Sequence, residues 1–112
     1  MSRLDHTEQL RRLAINDTEF AERCLRGADS GPAERDPKTQ ALSRLAALIA
    51  VGGSESSFGA HADAAVSAGA TAAEMVAILI GIVPTVGFPR VVAAAPKLAM
   101  ALGYDINDPL DG

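Results

Sequence analysis

In the stretch GGSESSFGAH, residues 52–61, Ser54 and Ser57 stand three apart and His61 follows four residues after Ser57. On a helix, Ser57 and His61 are i, i+4 neighbours, so hydroxyl and imidazole can share a face, as a serine nucleophile and its base would require. Such a pair also needs a group to orient the imidazole and donors for an oxyanion, and no G-x-S-x-G elbow supplies the strained turn. Asp63 lies two residues from His61, on another side of the helix. The alternative is structural: Ser54 caps a helix, Ser56 and Ser57 fill its polar first turn, and His61 is partly buried with a hydrogen bond. Elsewhere, Cys24 is the one cysteine. It cannot form an internal disulfide, no Cys/His cluster has metal-site spacing, and the residue is expected to pack as a small apolar side chain.

Helices must position these residues. Of the 112 residues, 48 % are apolar but only 4 % aromatic, and Ala, Leu and Val do most of the filling. That composition favours an all-α protein of closely packed helices, a compact bundle of about six. The spacing predicts short helices from Asp5 to Ala14 and from Asp17 to Arg26, with Leu10, Leu13, Phe20 and Leu25 as apolar contacts. Asn16, three residues before Glu19, has capping-box spacing. The Gly-, Pro- and Asp-rich segment 27–37 reads as a loop.

Asp36 and Pro37 then look like an N-cap and first helical residue, opening a helix to Val51 that Gly52 and Gly53 end, with Leu42, Leu45, Leu48 and Ile49 as its stripe. Ser54 opens the helix carrying Phe58, His61, Ala65 and Val66 before Gly69. Thr71 and Glu74 form the capping box of the next, whose run MVAILIGIV is apolar on every face before Pro84 and Gly87. A last helix runs from Phe88 to Leu102 with Pro96 inside, where proline should bend the axis, and a polar, extended tail follows from Tyr104.

The length fits a single domain, residues 1–112, with a helical leader of 35 residues ahead of a core over 36–105. A net charge of −4 with scattered arginines offers nothing to a nucleic acid. The charged N-terminus lacks the apolar core of a signal peptide, so a cytoplasmic protein is expected. The apolar run from Met75 to Phe88 is shorter than the roughly 20 residues that cross a bilayer, so no membrane partner is expected either. A helix apolar all round needs protein on all sides, which a chain of this size supplies poorly, so the chain is expected to form a homo-oligomer.

The order DPKTQALSRLAALIAVGG, then SFGAHADAAVSAGATAAEMVAILIGIVPTVGFPRVVAAAPKLAMALGYD, resembles the carboxymuconolactone decarboxylase family, which includes the alkyl hydroperoxidase D-like proteins. The likeness spans residues 36–105, and LRRLAIND, residues 10–17, is similar to the leader of small members. The resemblance implies an all-α fold whose apolar hairpins pack about a three-fold axis, as a trimer or a hexamer of paired trimers. In the peroxidase branch the helix opens C-x-x-C-x-x-x-H; aligning that histidine with His61 places Ser54 and Ser57 where the cysteines stand. A hydroxyl cannot pass through sulfenate and disulfide, so CxxC peroxidase chemistry is not expected.

The decarboxylase branch keeps an aromatic and a histidine spaced as Phe58 and His61 are. Its reaction removes CO2 from a lactone acid without a cofactor and leaves an enolate to be reprotonated. The resemblance therefore makes His61 the candidate acid/base, with Ser57, Phe58 and Arg90 as substrate contacts, Arg90 for an anion. Ser57, Gly59 and Ala60 are smaller than the residues of that branch, which leaves three readings. One is a cofactor-free decarboxylase, or an isomerase or hydrolase of a small lactone or carbonyl acid. The second is a non-catalytic oligomeric scaffold or small-molecule binding protein, and the third a peroxidase relying on Cys24.

Overall fold

A computed structural model describes residues 5–26 and 36–105. Among them are seven helical segments and no strand: α1 (His6–Ala14), α2 (Thr18–Leu25), α3 (Pro37–Val51), α4 (Glu55–Ser67), α5 (Ala72–Gly81), α6 (Val83–Val86) and α7 (Phe88–Ala101). The protein is all-α, as composition implied. Of the expected loop over 27–37, residues 27–35 lie outside the described residues, as does the tail after Asp105, while Asp36 and Pro37 belong to the start of α3. The chain divides into two compact units, Met1–Glu34 and Arg35–Gly112.

In the first unit, Asp5 caps α1 through the Glu8 N–H, and Glu8 takes Arg11 and Arg12 into ion pairs at 2.8 and 2.9 Å. The hydrogen bonds from Arg11 and then Arg12 hold the Glu8 carboxyl at about 2. Asn16 is not the cap of α2. It sits at φ +58, with its N–H on Leu13 O and the Asp17 N–H on Arg12 O, the paired bonds that close a helix with a left-handed residue. An asparagine tolerates that conformation, so it ends α1, and the capping falls to Asp17, which accepts from Glu19 and Phe20. Of the expected apolar contacts Phe20 is buried, whereas Leu10, Leu13 and Leu25 stand exposed, because two helices of nine and eight residues have too little surface to enclose them. Cys24 is also exposed, so it does not pack as an apolar residue.

The second unit is organised by one buried cluster, in which residues recur at three- and four-residue steps: Leu45 and Ile49 of α3, Phe58, Ala62 and Ala65 of α4, Met75 and Leu79 of α5, and Val91, Ala94 and Leu98 of α7. Phe58, its largest fully enclosed side chain, anchors α4, which packs on α3 and α7 where Ala62, Ala65 and Ala94 permit close approach. Asp36 caps α3 through the Thr39 N–H, and Pro37 occupies the first turn, where its missing N–H costs nothing. Thr71 and Glu74 exchange both bonds of the capping box. The other carboxylate oxygen of Glu74 accepts from Lys38 at 2.9 Å, which ties the start of α5 to the start of α3.

The added element is α6. Proline was expected to stop the apolar run, but Pro84 instead lies in the first turn of a new helix, and Ile82 serves as both the end of α5 and the start of α6. Gly87, at φ +87, separates α6 from α7, and α7 continues through Pro96 to Ala101. No helix among the described residues is long and apolar enough to cross a membrane. The run 75–83 is not enclosed all round: Met75 and Leu79 are buried, but Val76 and Ile80 are exposed.

Candidate functional site

The first turn of α4 is built on Ser54. Its hydroxyl accepts the Ser57 N–H at 3.2 Å and so caps the helix, and it donates to the Ser57 hydroxyl at 3.1 Å. Ser56 Oγ stands 3.0 Å from Ser54 Oγ. Thus the two serines at the aligned cysteine positions are joined by hydrogen bonds within one helix start.

His61 lies one turn further on and is half-buried at the edge of the face formed by Phe58, Ala62 and Ala65. Its Nδ1 is 2.9 Å from the backbone carbonyl of Ser57, not from the hydroxyl. The i, i+4 spacing therefore unites the two residues, but through the peptide group, because on a helix that carbonyl points along the axis toward the following turn. A carbonyl only accepts, so Nδ1 carries the hydrogen and Nε2 of the neutral ring carries the lone pair. The arrangement orients an imidazole; it does not align a serine nucleophile with a base.

Phe58 is 0 % exposed, so it seats the turn bearing Ser57 and His61 from below and presents no ring face to solvent. Arg90 does not bond to any of the other three. From the first turn of α7 it reaches the α3–α4 connection, where Nη1 donates to Val51 O at 3.2 Å. Beside it Lys97 donates to Gly53 O at 2.7 Å. Both carbonyls belong to the stretch that ends α3, whose C-terminal carbonyls favour a nearby cation.

Gly52 leaves room for Arg90, and Gly53 for Leu48 and Ser57. A Cβ on Gly52, which has φ +84, would stand 2.7 Å from Arg90 Nη1, and one on Gly53 would run into the Leu48 side chain and come 3.4 Å from the Ser57 Cβ. Lys97 was passed over in the sequence, where its partner, a peptide carbonyl, leaves no trace. The available signal was its position seven residues after Arg90, two turns along one helix face.

The sequence pattern of the carboxymuconolactone decarboxylase family matches residues 18–99, starting earlier and ending sooner than the likeness seen over 36–105. No curated protein and no solved structure matches the chain.

Proposed function

This chain belongs to the carboxymuconolactone decarboxylase family, and from that premise we propose that it is a cofactor-free decarboxylase, or a related isomerase or hydrolase, of a small lactone or carbonyl acid, with His61 as acid/base. The observation that carries this reading is the 2.9 Å bond between His61 Nδ1 and Ser57 O. With Nδ1 occupied, Nε2 is left to take up a proton and deliver it. In a decarboxylation the carbon–carbon bond to the carboxylate breaks, its electron pair enters the enolate, and CO2 leaves. Nε2–H of the protonated ring then gives its proton to the carbanion carbon and recovers it from solvent. Arg90 supplies positive charge for the substrate carboxylate, and the Ser57 hydroxyl is a polar contact on the same turn.

The test is CO2 release and product formation from a panel of small lactone and carbonyl acids, comparing the native chain with His61→Ala and His61→Gln. Turnover should vanish in both while the helical spectrum and unfolding midpoint remain. Undiminished turnover in a folded His61→Ala protein rules the assignment out.

The reading also has the chain working as a homo-oligomer, a trimer or hexamer. It is supported by two exposed apolar rows, Val76, Ile80 and Pro84 on α5 and α6, and Phe88, Val92, Pro96 and Met100 at four-residue steps along α7. A second reading, a non-catalytic scaffold or small-molecule binder, is favoured by the complete enclosure of Phe58, which offers a ligand no aromatic wall. It predicts ligand retention without turnover, and no dependence on His61.

A further inference from the structure

The hydroxyl hydrogens of the three serines that open α4 can be placed one by one. Ser54 Oγ accepts the Ser57 N–H at 3.2 Å and gives its single hydrogen to Ser57 Oγ at 3.1 Å. The 3.0 Å contact between Ser54 Oγ and Ser56 Oγ must therefore be donated by Ser56. Ser54 then has both lone pairs and its hydrogen committed. Ser57 Oγ receives one hydrogen and keeps its own, which meets no acceptor among the described residues.

That leftover hydrogen has a direction. It cannot turn back to Ser54, because Ser57 N–H fills one lone pair there and Ser56 the other. Ser54 and Ser56 are exposed, whereas Ser57 is half-buried, so two outer hydroxyls aim an inner one. Donors linked head to tail polarise one another, which makes the last hydroxyl the stronger donor. One turn on, about 5.4 Å along the axis, His61 shares the face and keeps Nε2 open.

We infer that Ser54 and Ser56 are positioning residues that fix the Ser57 hydroxyl as an outward donor to a carbonyl oxygen of the ligand. The inference rests on the decarboxylation reading above and deepens it by naming what meets the enolate oxygen. In an enolate the oxygen lies two bonds from the carbon that takes the proton, so one ligand spans Ser57 Oγ and His61 Nε2. A donor held ready for the developing oxyanion favours the transition state over the ground state.

Neutron diffraction from crystals of the full chain in heavy water tests the order directly. The Ser56 deuteron should lie on Ser54 Oγ, the Ser54 deuteron on Ser57 Oγ, and the Ser57 deuteron away from both. Ser54→Asn keeps a neutral capping oxygen but removes its hydrogen, so the Ser57 deuteron should turn inward onto that oxygen. Ser54→Thr keeps cap and hydrogen alike, and the native order should persist. The kinetic counterpart is decarboxylation of acetoacetate, which passes through an enolate. Ser54→Asn should lower kcat on the order of 100-fold with KM little changed, while Ser54→Thr restores it. Thermal unfolding should be similar in both variants, since each substitute caps a helix.

A native Ser57 deuteron bonded to Ser54 Oγ overturns the inference. So does a folded Ser54→Asn protein that turns acetoacetate over at the native rate. The two readings fail separately. Turnover that depends on His61 but not on Ser54 keeps the enzyme and removes the positioned donor. Acetoacetate left intact by the native chain removes the enolate contact together with the enzyme, and deuterons in the stated order then keep the positioning.

Discussion

Replacing Gly52 by alanine tests the geometry of the α3–α4 connection. Gly52 has φ +84 and ψ +101, a conformation that costs a residue with a side chain about 1–3 kcal/mol. The new Cβ also meets Arg90 Nη1 at 2.7 Å. A guanidinium is the end of a flexible chain, so it swings aside and loses its bond to Val51 O, about 1 kcal/mol more. Gly52→Ala should therefore destabilise by about 2–4 kcal/mol, the sum of those two terms. Arg90→Ala alone should cost about 1 kcal/mol, but nothing further once Gly52→Ala is present, because the bond is already gone. Urea unfolding followed by circular dichroism at one protomer concentration, with an unchanged slope, reads all four proteins. If Arg90→Ala costs the same in both backgrounds, to within about 0.5 kcal/mol, the two residues are uncoupled and the contact is wrong.

Phe58→Ala, at the centre of the core, should cost about 3–5 kcal/mol in urea unfolding, and a loss below 1 kcal/mol would contradict its enclosure. Glu74 has its carboxyl held below the ordinary range by the Thr71 N–H and then by Lys38. Its contribution to stability is therefore complete above the unfolded value, about 4.3, and disappears as pH falls through the lower folded value. Lys38→Met should flatten that acid limb in a plot of urea midpoint against pH, and an unaltered limb counts against the ion pair. If the chain assembles as proposed, Ile80→Asp should reduce the native mass to that of one chain; an unchanged assembly would place the subunit contact elsewhere, and a native protein already of one-chain mass would overturn the proposed oligomer.

Much of the second unit was legible because its signals are local. Asp36–Pro37, Ser54 and the Thr71–Glu74 pair each declare a helix start within four residues, and each caps as read. Where two local rules competed, the reading slipped. Asn16 fits a capping box, yet it also suits a left-handed helix end, and with Asp17 next to it that second role prevails. Pro84 fits the end of one helix and the first turn of another equally well.

At the candidate site the spacing placed Ser57 and His61 on one face, but it could not distinguish a hydroxyl from a carbonyl as the imidazole's partner. Lys97 and the second oxygen of Glu74 were invisible for a different reason: their partners are 44 and 36 residues away in the chain. Such contacts depend on packing, which no short window records.

The same separation sets an order of events during synthesis. The Ser57–His61 bond spans four residues and can form as soon as α4 has left the ribosome. The α3–α4 elbow beside it waits for donors that lie 39 and 44 residues downstream of their acceptors. A nascent chain ending before Arg90 thus contains both partners of the Ser57–His61 bond while the neighbouring elbow lacks its cationic braces. The last helix made completes the position of the earlier ones, and a truncation there removes both braces of the elbow without removing Ser57 or His61.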